Sequence, residues 1–305
     1  MDPITRDFYE ERRRKWRRSA FWRGVLVTVA ALVALGVLGA WLAGGAPRQP
    51  HIARLHIADV ISTDLTRDRI LADMAETENI RALIVHIDSP GGTVVGAEAL
   101  YDGLTEIAAR VPVVAVMDGV AASGGYLAAL PANHVIARGN TVTGSIGVIL
   151  EYMTFTGLMD RVGVDLETIR SSDLKAAPSP LRDLSPEARA LEQRMVNETH
   201  AWFSELVGTE RGLSGAALDR VTDGRTFTGR MAMDAGLIDA LGDESDAIDW
   251  LESQDAALAD LPVETWEVTE DEDPLGGLAA RLGLPGGQFL PDVTTPGPRL
   301  MAILK

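Results

Sequence analysis

Residues 111–130 read VPVVAVMDGVAASGGYLAAL, a short apolar strand that runs through a turn of small residues into a helix with Ser123 at its start. Val111 to Met117 is a continuous, β-branched apolar run ended by Asp118-Gly119, the pattern of a strand buried on both faces of a parallel sheet. Ser123 falls where the strand hands over to the helix. There the first backbone N–H groups lack intrahelical partners and the macrodipole favours negative charge. An oxyanion formed by attack of Ser123 on a carbonyl would be held at that point, and Gly124 and Gly125 leave no side chains in the way of the approach. Two readings stay open on these residues alone. Ser123 is a nucleophile, or it is the N-cap of a helix whose alanines and glycines let it pack closely on a sheet.

Upstream, Ile52 to Ile61 predicts a strand and Arg67 to Glu78 an amphipathic helix with Ile70, Leu71 and Met74 on one face. Arg81 to Ile87 predicts a second buried strand, ending at Asp88-Ser89-Pro90-Gly91-Gly92, and Val94 to Ala109 a second helix. This β-α-β-α-β-α order implies a parallel sheet with right-handed crossovers. In such sheets sites form beyond the carboxyl ends of strands. The 88–92 turn and the Ser123 turn both lie there, so Gly91 and Gly92 can direct a backbone N–H at the oxyanion that Gly124 faces; the alternative is a plain Pro-Gly turn.

Downstream, Val135 to Ala137 predicts another strand, Thr141 to Leu150 carries Ser145, and Ser171 to Pro180 is a loop of small residues and proline. Ser185-Pro186 opens a long helix to about Arg211, Gly236 caps a later helix, and Asp243 to Leu251 is the last. Beyond Leu261 the pattern weakens. Glu267 to Asp273 reads as a solvated acidic linker, Leu275 to Leu282 as a short amphipathic helix, and Gly286 to Pro298 as irregular chain.

The net charge of -16 over 305 residues argues against nucleic acid as a partner. With no cysteine in the chain, a thiol nucleophile, thiolate metal sites and disulfides are excluded. Basic charge gathers at the N-terminus, where Arg6, Arg12, Arg13, Arg14, Lys15, Arg17, Arg18 and Arg23 outnumber Asp2, Asp7, Glu10 and Glu11. Residues 24–46 are then uncharged, near the ~20 needed for a transmembrane helix, with Trp16, Trp22 and Trp41 close to the ends. The positive-inside bias puts the N-terminus in the cytoplasm. An uncleaved anchor in the inner membrane, with an extracytoplasmic domain beyond it, is preferred over a cleaved signal peptide, whose apolar region is usually only ~7–15 residues. The expected organisation is a basic cytoplasmic segment (1–23), a transmembrane helix (24–46), a catalytic domain (47–255) and an acidic, Gly/Pro-rich tail (256–305).

A serine hydroxyl needs an adjacent base. Ala121-x-Ser123-x-Gly125 is similar to a variant nucleophile elbow of the α/β-hydrolases, whose histidine follows late in the chain; only His200 fits that place, and it falls mid-helix. Lys175 is the other candidate. It is the only lysine between Lys15 and Lys305 and stands among Leu174, Ala176, Ala177 and Pro178. A lysine base must be neutral, against an ordinary pKa of ~10.4, so it needs an apolar setting. A hydroxyl such as that of Ser145 would hold the amine in place, while a nearby Asp173 would work against it. An exposed loop lysine without a role is the alternative.

Taken together, Asp88-Ser-Pro-Gly-Gly, Met117-Asp-Gly-Val-Ala-Ala-Ser-Gly-Gly-Tyr, Thr143-Gly-Ser-Ile-Gly-Val, Ser172-Asp-Leu-Lys-Ala-Ala-Pro-Ser-Pro, Gly224-Arg-x-Phe-x-Gly and Gly236-Leu-Ile-Asp resemble the signal peptide peptidase A family of Ser-Lys peptidases, over roughly residues 50–250 and the N-terminal anchor. The resemblance implies the α/β fold shared by Clp protease and crotonase, a β-β-α superhelix. It implies Ser123 as nucleophile, Lys175 as general base, Ser145 bonded to the lysine, and an oxyanion hole from Gly91, Gly92 and Gly124. It further implies remnant signal peptides as substrate, no metal or cofactor, and a homo-oligomeric ring in which serine and lysine can come from neighbouring subunits. Ala176 stands where the family often has an acidic residue, and Leu174 where it often has an aromatic. Two rivals share the fold: a crotonase-type acyl-CoA enzyme, which would need neither Ser123 nor Lys175, and a catalytically silent membrane scaffold.

Overall fold

The computed structural model describes residues 22–23, 25–31, 49–266 and 301–303, the last three as backbone. Residues 22–23 and 25–31 are helical. The expected span 24–46 lies mostly outside the described residues, and among those described no helix is long and apolar enough to cross a membrane. The expected linker at 267–273, helix at 275–282 and irregular stretch at 286–298 lie outside them as well. Residues 1–49 and 50–305 form two units, and the second holds both Ser123 and Lys175.

The core of this second unit is a run of parallel strands joined by helices. β1 (His51–Ile61) leads through α1 (Leu65–Glu76) to β2 (Ile80–Thr93), then through α2 (Val94–Ala108) to β3 (Val113–Ala122) and into the short α3 (Gly124–Ala129). β4 (His134–Ala137) and β5 (Val142–Gly144) follow, then α4 (Thr156–Val162), the long α5 (Pro186–Arg211), α6 (Gly215–Val221), β6 (Thr226–Thr228), α7 (Gly229–Asp234), β7 (Ala240–Leu241), α8 (Glu244–Gln254), β8 (Val263–Trp266) and β9 (Met301–Ile303). The main sheet order is β6-β5-β3-β2-β1-β8, with β4 beside β3, β7 beside β4 and β9 beside β2.

Both sheet faces are covered, which is why the strands are apolar at successive positions and do not alternate. Leu83, Val85 and Ile87 of β2 and Val113, Ala115 and Met117 of β3 pack with Leu71, Leu100, Leu104 and Phe203 from the helices on one side. The intervening Ala82, Ile84, Val114 and Val116 face Ala247 and Leu251 of α8 on the other. Local signals set the helix ends. Asp64 accepts from Thr66 N and Arg67 N at the start of α1, and Ser185, followed by Pro186, accepts from Ala188 N at the start of α5.

Four expectations need correction. β3 does not end at Asp118-Gly119 but continues to Ala122, because Asp88 Oδ1 accepts the Val120 N–H at 2.9 Å and carries the strand across the irregularity. The 88–92 turn is likewise strand, paired through Gly92 with β1. The segment after Ser145, where Val162-Gly163-Val164 suggests a turn or strand from sequence, contains the helix α4, ended by Gly163 in the left-handed conformation. Finally, the domain does not stop at residue 255. Val263–Trp266 pairs in parallel with Ile52–Leu55 as an edge strand, four residues too short for periodicity to reveal beside the acidic run that comes after it.

Candidate active site

The bend that presents Ser123 begins where β2 and β3 lose register. Ile87 pairs with Met117, but Ser89 pairs with Ala121, so Asp118-Gly119-Val120 bulges opposite Asp88. Before the bulge β3 pairs with β4, at Val114 to Met117; after it, Val120 to Ala122 pair with Val142 to Gly144 of β5. The ladder closes when Ser123 N–H donates to Gly144 O at 2.7 Å, and α3 starts when Ser123 O accepts from Leu127 N at 2.9 Å.

Between those bonds Ser123 has φ 54° and ψ -115°, a conformation that costs a non-glycine residue on the order of 1–3 kcal/mol and clusters at functional sites. Its hydroxyl does not cap the helix. Ser123 is fully buried, and its Oγ has no hydrogen-bond partner. A buried unmatched hydroxyl is itself costly, and with no bond from it to the helix N–H groups the capping alternative fails on geometry.

The two glycine corners meet here. A Cβ on Gly124 would stand 3.3 Å from Gly92 N and 3.3 Å from Gly91 Cα, so the start of α3 lies directly against the end of β2. A Cβ on Gly92 would sit 1.8 Å from Ile61 O, which fixes glycine there. Gly91 N–H is donated to Ser89 Oγ at 3.1 Å, and Gly92 is the residue whose N lies against Gly124. Ser89 itself is buried, and its hydroxyl donates to Asp59 O at 2.5 Å. Sequence reasoning passed over Ser89 and also over Thr143, whose hydroxyl donates to Ala121 O at 2.6 Å and pins the last turn of β3. A serine two residues before a glycine in a turn was the available signal for the first; nothing local marked the second.

Of the remaining expected residues, Ser145 directly follows Gly144, whose carbonyl accepts the Ser123 N–H, while Lys175 and His200 are bonded elsewhere. Ser145 has φ 50° and donates its N–H to Arg225 O at 2.8 Å; it lines a cavity of about 320 Å³ with His200, Asn197 and Gly224. His200 Nε2 lies 2.7 Å from Thr222 O, so this ring is held by the backbone of another loop and not by Ser123. Lys175 is exposed, its N–H donating to Ser172 O at 3.2 Å. Next to it, Ala176 has φ 58° and its carbonyl accepts from Arg182 Nη2 at 3.1 Å. The stretch around Lys175 exposes much apolar surface: Met153 is 73% accessible, Leu158 59%, Val162 63% and Ile169 99%, and α4 buries none of its residues.

The other histidines serve the fold. His86 stands 3.0 Å from Asp118 through Nδ1 and 3.0 Å from Glu244 through Nε2, joining the sheet to the start of α8. Among the described residues no group of three His, Asp or Glu side chains is placed to hold a metal ion.

The chain matches the family model for peptidase family S49 over residues 106–258 and that for Clp protease over residues 54–140. A Synechocystis protein described as a protease is 36% identical over 225 residues, covering 73% of this chain and 79% of the relative. The chloroplastic serine protease SPPA of Arabidopsis thaliana is 34% identical over 179 residues, covering 58% of this chain and 26% of the plant protein. Among solved structures, a ClpP1 variant from Listeria monocytogenes aligns with TM-score 0.43 and 18% identity over 63% of this chain and 92% of that one. The α/β sheet with helices on both faces agrees with the Clp protease model match, and the matched S49 region contains both Ser123 and Lys175. The chain belongs to peptidase family S49, the signal peptide peptidase A family that its motifs resemble.

Proposed function

We propose that the protein is a membrane-anchored Ser-Lys endopeptidase acting on apolar peptides, remnant signal peptides among them, and that two copies of the chain build each active site. The observation that carries the reading is the buried, strained and unpartnered Ser123 Oγ beside the Gly92 and Gly124 backbone. Oγ attacks the scissile carbonyl carbon as Lys175 Nζ takes its proton; the carbonyl oxygen becomes an oxyanion facing Gly92 and Gly124 N–H. Collapse breaks the C–N bond, the lysine returns the proton to the leaving amine, and water activated by the same lysine hydrolyses the acyl-enzyme. Ser145 orients the amine.

A lysine exposed to water is protonated and cannot serve as base. Docking of the apolar 149–169 surface on a neighbouring copy covers its loop and brings Lys175 to that copy's Ser123. Exposed apolar area of this kind marks an interface, and repetition of one head-to-tail contact closes a ring. The uncharged 24–46 stretch anchors the ring at the inner membrane, with the catalytic domain outside the cytoplasm.

Complementation tests this directly. Full chains carrying Ser123→Ala or Lys175→Ala are each expected to be inactive on a fluorogenic apolar peptide, and to regain activity when co-assembled, since mixed rings contain intact serine-lysine pairs. Failure of co-assembly to restore activity, with both variants folded and oligomeric, would overturn the shared site. Failure of a serine-directed acylating probe to label the wild type at Ser123 would overturn the nucleophile.

A further inference from the structure

Lys175 sits in a turn that its own residues do not favour. The Lys175 N–H donates to Ser172 O at 3.2 Å and the Ala177 N–H to Leu174 O at 3.3 Å, so Lys175 and Ala176 are the two central residues of the second turn. Ala176 has φ 58°. A positive φ at the second central position is the place glycine ordinarily fills, and an alanine stays there only where its surroundings hold it. The direction in which the lysine leaves the loop therefore depends on whatever fixes Ala176.

What fixes it is Arg182, six positions on, whose Nη2 donates to Ala176 O at 3.1 Å. Among the described residues Arg182 has no carboxylate partner; Asp173, on the other side of the lysine, is taken by Arg170 Nη2 at 3.1 Å. Arg182 Nε and Nη1 are buried and without a hydrogen-bond partner, beside a cavity of about 530 Å³ that Arg182 lines with Arg170, Asp173 and Asp183. Buried donors left unmatched are costly, and an arginine present only for solubility would carry its guanidinium out to water. Among the described residues, the bond that Arg182 makes is the one to the Ala176 carbonyl.

We infer that Arg182 is a positioning residue for the reaction: by pinning the Ala176 carbonyl it holds the strained turn and sets where the Lys175 amine lies when the loop reaches Ser123. This rests on the reading of Lys175 as general base. Arg182 acts through Lys175 and not on the peptide, so its loss slows the chemical step and leaves peptide binding at the Gly92–Gly124 corner nearly unchanged. Where two copies share a site, its loss matters only in the copy that supplies the lysine.

Three measurements on the full chain decide it, all with Arg182→Met, which keeps the apolar stem and removes the donors. In hydrolysis of a fluorogenic apolar peptide, kcat should fall about ten- to a hundredfold, the scale of a ~1 Å misplacement, with KM within about twofold and the oligomer intact. More than half of wild-type kcat overturns the inference. Co-assembly then separates positioning from architecture. Ser123→Ala/Arg182→Met mixed with Lys175→Ala should recover less than about a tenth of the activity that Ser123→Ala recovers with Lys175→Ala. Ser123→Ala mixed with Lys175→Ala/Arg182→Met should recover all of it. Equal losses in the two arrangements mean a purely structural role and overturn the inference. These rings keep copies with Arg182, so they report even where Arg182→Met alone does not assemble. The third readout needs no catalysis. The chain's lysines are Lys15, Lys175 and Lys305, so reductive methylation of the Ser123→Ala chain, read by mass spectrometry, measures Lys175 against the other two. Arg182→Met should raise its relative rate severalfold, and an unchanged rate overturns the inference. If Ser123→Ala and Lys175→Ala do not complement at all, the shared site has failed; if the wild type is inactive, the base assignment has failed. In either case the methylation rate still judges Arg182.

Discussion

Replacing Gly124 by alanine would place a methyl group 3.1 Å from Ala97 Cβ and 3.3 Å from both Gly91 Cα and Gly92 N. Carbon contacts are optimal at ~3.5–4.0 Å, so something must yield by a few tenths of an ångström. Ala97 is buried in the first turns of α2, which leaves the Gly91–Gly92 backbone to move. Overpacking by one carbon costs about 1–3 kcal/mol, and alanine in place of glycine in a helix returns about 0.5–1 kcal/mol. Gly124 is not among the residues with positive φ, so the chain still folds, at a net cost of about 0–2.5 kcal/mol. At about 2–4 °C per kcal/mol for a domain of this size, the loss in Tm stays below about 10 °C. Loss of one oxyanion donor costs about 10²–10³ in kcat. Displacement of Gly92 N without its removal should therefore lower kcat about ten- to a hundredfold, with KM little changed. Gly103→Ala is the control: the three atoms nearest its Cβ would all belong to the Leu71 side chain, the closest at 2.9 Å, so it should lose stability and keep kcat. The assay is steady-state hydrolysis of a fluorogenic apolar peptide beside a thermal melt. A Gly124→Ala chain that keeps more than half of wild-type kcat refutes the assignment of the Gly92–Gly124 corner as the oxyanion hole.

Both Ser123→Ala and Ser123→Gly remove Oγ, but only glycine relaxes φ 54°; Ser123→Gly should be the more stable of the two by about 1 kcal/mol in urea titrations, and the reverse order would mean that the Ser123 backbone stores no strain. Tyr126→Phe deletes a buried bond to Leu237 O of 2.8 Å and should cost about 1–3 kcal/mol, measured the same way, with a larger effect on Tm than on kcat. Acid stability depends on Glu244 and Asp239. Burial pushes Glu244 up, but Arg54 and His86 outweigh it and hold the carboxyl below its usual range; for Asp239 burial is likewise outweighed, by the Arg211 bonds. Depressed folded pKa values mean stability that is full above the unfolded values of about 4 and lost as pH falls through the folded ones. Glu244→Gln should flatten the fall in urea midpoint below about pH 4; an unchanged acid limb would contradict this.

What the amino-acid sequence determined is what short spacing controls. The apolar runs 81–87 and 111–117 gave the buried parallel strands, Ser185-Pro186 the start of α5, and the two glycine strand ends the neighbourhood of the candidate site, because strand burial, helix capping and tight turns depend on residues within a few positions of one another. The family motifs, read in order, gave the family. Other features needed the folded chain. The bulge at 118–120 depends on Asp88, some thirty positions earlier. That Gly91 N–H is taken by Ser89, leaving Gly92 against Gly124, comes from how β2 ends and α3 begins, which no spacing in the sequence encodes. The strands at 263–266 and 301–303 are too short to carry a period and exist through the partners they find in β1 and β2. Tertiary structure likewise decided that Ser123 Oγ is buried without a partner while Lys175 stays exposed, since contact between residues fifty positions apart is set by packing alone.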